Sequence, residues 1–178
     1  MKKVTSFILL VCAAFAFMGC ASEAQSRITR AQRNAPDDVL VGIGNAKLNS
    51  IDLSKTIAAT RARAELSNAI NSIVRDMLRD YMAASEVDSQ EVLGFQESLT
   101  VRLSQSNLSG AVIVEELTDK DGSWWCVMYL SKEEISKEIV QAQVAARLAF
   151  PAADSFDTEA RLNTAFARQV NEMRGSRR

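Results

Sequence analysis

Residues 53–84 read LSKTIAATRARAELSNAINSIVRDMLRDYMAA, with no Gly or Pro and a high density of Ala, Arg, Leu, Ile and Met. These are strong helix formers, and Asp52 just before them is a good N-cap. Ala62, Leu66, Ala69, Ile70, Ile73, Met77 and Tyr81 recur at steps of three and four, which places them on one apolar stripe. The stretch predicts a long amphipathic helix whose stripe needs a partner layer. Arg61 and Glu65 stand one turn apart on a more polar face, where charged pairs are usually solvated.

The partner layer is legible on both sides of the helix. Upstream, Val39-Leu40-Val41 begins a short strand that ends in Gly42-Ile43-Gly44-Asn45-Ala46. A Gly-x-Gly after a strand suggests phosphate binding only with a third glycine three positions after the second, and that position is Lys47. The glycines are therefore expected to mark a bulge or a close backbone approach by the helix. Downstream, Leu99, Val101 and Leu103 alternate with Thr100 and Arg102 within Gln90 to Leu103, and Ser109-Gly110 introduces a second run from Ala111 to Leu117. Asp119, Asp121 and Gly122 supply a turn into Trp124–Leu130, so an antiparallel meander is expected. In its last strand Trp124, Cys126, Met128 and Leu130 point one way and Trp125, Val127 and Tyr129 the other. One face should meet the long helix, leaving the other for the next helix, the chain end or a second copy.

After this strand, Ser131-Lys132-Glu133-Glu134 forms a capping box and starts a helix through Ile135, Ile139, Val140 and Val144 to about Leu148, with Pro151 as its stop. A second amphipathic segment, about Phe156 to Met173, carries Leu162, Phe166, Val170 and Met173 on one narrow side and ends near Gly175. Arg174, Arg177 and Arg178 read as a solvated tail. The expected fold is α+β: an antiparallel three- to four-stranded sheet packed on a long amphipathic helix, with additional C-terminal helices.

The start of the chain has a different character. Met1-Lys2-Lys3 precedes an apolar run from Phe7 to Met18, then Gly19-Cys20 and the small residues Ala21 and Ser22. This is the charged, apolar and small-residue order of a cleavable export signal, and the apolar run is too short for the roughly 20 residues of a bilayer span. Phe17-Met18-Gly19-Cys20 resembles a lipobox, in which the cysteine thiol receives a diacylglyceryl group, although Leu and a small residue are commoner than Phe17 and Met18. The competing reading is an ordinary secretory signal with Cys20 incidental. Two or three acyl chains hold a protein stably on a membrane, whereas one holds it only marginally. Ala21 lacks the aspartate that retains lipoproteins at the inner membrane in some bacteria, which favours the outer membrane, with the folded part facing the periplasm or the surface.

The expected division is therefore a signal peptide over 1–19, a lipidated flexible tether over 20–37 ending at Pro36-Asp37, a domain over 38–150, and a C-terminal helix with a basic tail over 151–178. Within the tether, Arg27, Arg30 and Arg33 read as solvated charges that also have the sign to meet anionic head groups. Removing residues 1–19 of the 178 leaves 159, and without Lys2 and Lys3 the balance is 19 basic against 22 acidic side chains, a charge of −3. Such a balance gives no sign of a nucleic-acid partner. With Cys12 lost and Cys20 lipidated, Cys126 is the one remaining thiol, so no intramolecular disulfide is expected and Cys126 reads as a small buried hydrophobe.

The chain has no histidine, which removes His-based triads, His general bases and His-containing zinc sites. The adjacent pairs Glu115-Glu116 and Glu133-Glu134 diverge in direction on a strand or helix and do not form a glycosidase-type pair locally. No enzymatic activity, metal or cofactor is expected.

Lipobox, Gly42-Ile43-Gly44-Asn45-Ala46, Ala62-Arg63-Ala64-Glu65-Leu66 in an Ala/Arg-rich helix and the aromatic strand at Trp124-Trp125 together resemble the Lpp-twenty family of bacterial lipoproteins, over about Val39 to Ile139. The resemblance implies a small α+β domain displayed on the outer membrane and no catalytic residues; some relatives build flagellum-associated structures. The leading expectation is a membrane-anchored structural or interaction protein, touching the membrane through lipid on Cys20 and contacting a second copy or envelope and flagellar proteins. Its expected contact surface is Trp125, Tyr129, Leu162, Phe166 and Val170. The alternative is a binding module for a small apolar or cell-wall ligand, with Trp125 and Tyr129 lining a pocket between sheet and helix.

Overall fold

The computed structural model describes residues 23–84, 89–105, 108, 110–146 and 156–175. The signal segment, Cys20, Ser109, Leu148, Pro151 and the Arg177-Arg178 end lie outside the described residues. The fold is α+β, with helices α1 (Glu23–Arg33), α2 (Ile51–Ala84), α3 (Ser89–Gln105), α4 (Lys132–Ala146) and α5 (Thr158–Gly175) around strands β1 (Val39–Ala46), β2 (Val112–Thr118) and β3 (Trp124–Ser131).

The three strands form an antiparallel sheet in the order β1-β3-β2, with Val39 opposite Ser131 and Ala46 opposite Trp124 on one side and Val112 opposite Tyr129 on the other. Joining β2 to β3, a tight turn is closed by the Asp119 and Ser123 backbones, with Gly122 at φ 85°, a conformation in which a Cβ is penalised. A register shift between Ile113 and Glu115 puts a bulge at Val114.

Every residue of the expected α2 stripe is buried, and with Leu40, Cys126, Met128, Leu130 and the inner faces of α3, α4 and α5 it makes the main core. Burying each such Leu, Ile or Met contributes about 2 kcal/mol. The start of α2 differs from expectation. The cap is Ser50, whose hydroxyl accepts from the Leu53 amide (3.4 Å), and Asp52 sits in the first turn, where its charge suits the helix dipole. At α4 the capping serine is as expected, with Ser131 Oγ accepting from the Glu134 amide at 3.2 Å.

Two expectations of local structure are overturned. The Leu99–Leu103 alternation is not a strand: it lies in α3, where Val92, Phe95, Leu99 and Leu103 are buried at steps of three and four while Val101 faces outward. Five alternating residues fit a strand, but the longer helical stripe has more apolar surface to bury. The tether expected over 20–37 is likewise helical from Glu23 to Arg33, and α1 packs on the sheet face turned away from α2. It is aided by Glu23 in its first turn and Arg30 and Arg33 in its last, each favourable to the helix dipole. Among the described residues the result is three layers: α1, the sheet, and helices α2 to α5.

Candidate functional site

The face of the sheet carrying Trp125, Val127 and Tyr129 was the expected contact surface, and α1 covers it. Ala24, Ile28 and Ala35 pack there with Val41, Leu117 and Val127, and Trp125 and Tyr129 flank them half-buried. The Tyr129 hydroxyl donates to the Ala31 carbonyl at 2.6 Å, satisfying one of the last-turn carbonyls that a helix leaves without a partner. Arg27 pairs with Glu115 on β2. The Trp125 indole N–H is buried without a hydrogen-bond partner. Beside this layer a cleft of about 20 Å³ runs between Gln32, Ala35, Pro36, Val39, Val41, Val170 and Met173. That is room for about one water, against the several hundred Å³ that small-molecule sites occupy.

Leu162, Phe166 and Val170 are not a free surface either. All three are buried in the main core, where α5 lies along α2. Arg168 fastens the outer side of this contact, reaching Asp80 at 3.2 Å and Asp76 at 3.9 Å. At the other end of α5, Phe156 meets Tyr81 and Phe95 edge to face, with centroids 5.3 and 5.6 Å away, and the Arg161 guanidinium lies 4.9 Å from the Tyr81 ring. The buried Gln143 side chain donates to the Phe156 carbonyl at 3.0 Å and accepts from the Thr158 hydroxyl, tying α4 to the start of α5. The narrow stripe of α5 therefore completes its own domain.

The Gly-x-Gly and the charged pair of α2 belong together. A Cβ at Gly42 or Gly44 would run into the Ala62 and Ala58 carbonyls, so both glycines serve the close backbone approach of helix to strand. Glu65 accepts from the Ile43 amide at 2.6 Å and Arg61 donates to the Asn45 carbonyl. Read from sequence as solvated charges, these two instead satisfy the free edge of β1. Strand edges left open are pairing hazards, and this one is closed by the chain's own helix.

Cys126 is fully buried, and burial first, then Glu116, push its thiol up to about 11 against an opposing effect of Arg63. Burial first, then Glu115, also raise the Tyr129 hydroxyl above its ordinary value of 10.0. Both groups keep their protons longer in the folded chain than in the unfolded one. The stability they confer is intact below about pH 9, the ordinary thiol value, and falls as pH rises towards 11. Denaturant midpoints are expected to decline over that window, less so in Tyr129→Phe; a flat profile from pH 8.5 to 11 would contradict the assignment. The carboxylate pairs have separate tasks: Glu115 holds Arg27, Glu116 stands opposite Cys126, and Glu133 and Glu134 both reach Lys137, at 3.0 and 2.8 Å.

Two exposed apolar groups were missed from sequence. Val112, Ile113 and Val114 open β2, an edge strand, and face solvent, Val112 being 61% exposed. Leu48, Ile51 and Leu53 surround the turn from β1 into α2 and are likewise exposed. The alternation that identifies a strand does not report its place in the sheet order. The fold defines a helix-covered antiparallel sheet with apolar side chains left exposed at these two places and also on α3 (Leu93, Val101) and α4 (Val140, Val144). No known protein family's pattern matches the chain, and no curated protein is detectably similar to it.

Proposed function

We propose that the chain is a lipid-anchored envelope lipoprotein of the Lpp-twenty type, held on the outer membrane through Cys20, whose domain has a structural or protein-interaction role. The open edge of β2 carries the reading. Among the described residues this strand pairs with β3 alone, and Val112-Ile113-Val114 present exposed apolar side chains at its edge. A partner strand can add there, and a second copy or another envelope protein, including a flagellar one, fits that geometry. The bulge at Val114 and the carboxylates Glu115 and Glu116 limit pairing to the first few residues, as expected of an edge guarded against indiscriminate aggregation.

Two experiments test the parts separately. Cells fed labelled palmitate are expected to mark the wild type and not Cys20→Ala; equal labelling, or none, removes the anchor. Mass spectrometry of the protein extracted from its native membrane in mild detergent is expected to find several copies or accompanying envelope proteins, and Ile113→Lys to release them. A lone subunit carrying a bound small molecule would replace this reading with that of a ligand-binding module.

A further inference from the structure

The end of the domain nearest the lipid also carries Ile51, the most exposed large apolar side chain among the described residues. Helix α1 begins at Glu23, three residues after Cys20, and three residues span at most about 10 Å. Its direction is set by two contacts. Arg27 meets Glu115, which stands at the level of Val127, and Ala31 meets Tyr129. Four helical residues rise about 6 Å and two strand residues about 6.6 Å, so α1 runs alongside β3 in the same direction. Continued back to Glu23, it reaches the level of Trp125 and Leu117, and Ala24 and Leu117 belong to one apolar cluster.

At this end Ala46 faces Trp124, the β2–β3 turn closes, and the chain leaves β1 for α2. Lys47 reaches across to Asp121 of the turn at 3.5 Å, so the two loops form one surface. On it Leu48, Ile51 and Leu53 are 44%, 65% and 51% exposed. Lys55 lies over the Trp124 ring, 4.5 Å from its centroid, and Lys120 projects from the turn.

We propose that this end of the domain rests in the bilayer interface beside the lipid, with Leu48, Ile51 and Leu53 entering the boundary between head groups and acyl chains. The proposal rests on lipidation of Cys20, which brings the bilayer within a three-residue reach of a helix that is part of the folded domain. Lipid, rather than a second copy, is the occupant because the anchor holds the membrane at this end whatever else binds. The lysines Lys47, Lys55 and Lys120 are balanced by Asp52, Asp119 and Asp121, so the contact is apolar in character and does not depend on anionic lipid or low salt. Val112 pairs with Tyr129 at the opposite end of the sheet, so docking points the open part of β2 away from the membrane.

The test uses the full lipidated protein in zwitterionic phosphatidylcholine vesicles, with an environment-sensitive dye on Ile51→Cys or, at the far end, on Val112→Cys; the buried Cys126 stays unlabelled. Brominated acyl chains are expected to quench the dye at 51 severalfold more than at 112, in low and high salt alike, with a blue shift at 51 only. Equal, slight quenching at both positions of a protein whose mass includes the lipid overturns the docking while leaving the anchor intact. A dye at 51 shielded from water-soluble quenchers but untouched by brominated lipid also overturns it, in favour of a second copy seated there. A mass lacking the diacylglyceryl group overturns the lipoprotein reading itself.

Discussion

Gly44→Ala is expected to destabilise the domain by more than about 3 kcal/mol, at the upper end of what overpacking costs. The new Cβ would collide with the Ala58 carbonyl and lie 2.6 Å from the Ala62 amide nitrogen. Both are backbone atoms of a long helix, so neither can rotate away. Relief requires lifting α2 off β1, which also breaks the Glu65 and Arg61 contacts to that strand. Gly42→Ala should cost less, because one of its obstacles, Leu66 Cγ at 2.6 Å, belongs to a side chain that can shift. Gly175→Ala has nothing within 4 Å and serves as the control, expected to be neutral or slightly stabilising. Urea unfolding followed by circular dichroism reads all three; a Gly44→Ala loss no larger than that of Gly175→Ala would show that helix and strand do not approach this closely.

Ile28→Asp is expected to detach α1 without unfolding the rest of the molecule. Ile28 is 2% exposed and is the one large apolar side chain with which α1 enters the sheet. Removing such a side chain costs about 3 kcal/mol, and a carboxylate left there pays desolvation as well. The layer it joins is a separate cluster from the main core, so release of the helix is cheaper than global unfolding. Trypsin should then cut at Arg27, Arg30 and Arg33, Trp125 fluorescence should shift to the red, and most helical circular dichroism should remain. Ile28→Val, losing about 1 kcal/mol, should stay protected. If trypsin cuts the wild type and Ile28→Asp at these arginines equally fast, α1 is a tether after all. Under the proposed anchoring and docking, detachment would also restore slack between the lipid and the domain and free Leu48, Ile51 and Leu53 from the bilayer.

The failures of the sequence reading share a physical origin. In α1 the buried positions are Ala24 and Ile28, followed just past its end by Ala35, and alanines carry little hydrophobic periodicity, so the stripe was invisible until the sheet face beneath it was seen. The small residues are what permit the helix to lie close to Trp125 and Tyr129. The same holds for α5, whose narrow stripe was enough once α2 was available to receive it. Arg61 and Glu65 looked like solvent-facing charges because nothing local says that a strand edge lies within reach. In α3, a window centred on Leu99 to Leu103 favoured a strand, and only the extension back to Val92 and Phe95 reveals the longer period.

What the sequence by itself determined is the periodicity of its strongest elements: the α2 stripe, the two-sided β3, the turn at Gly122, the Ser131 cap and the glycines kept free of Cβ atoms for α2. These depend on contacts between near neighbours, where residue type and spacing are sufficient. The tertiary structure alone decided which helix covers which face, that β3 is the central strand with β1 and β2 at the edges, and that the start of α1 and the Leu48–Leu53 turn share one end of the domain. Those outcomes depend on competition among separated segments for the same apolar surface, and spacing along the chain carries no record of it.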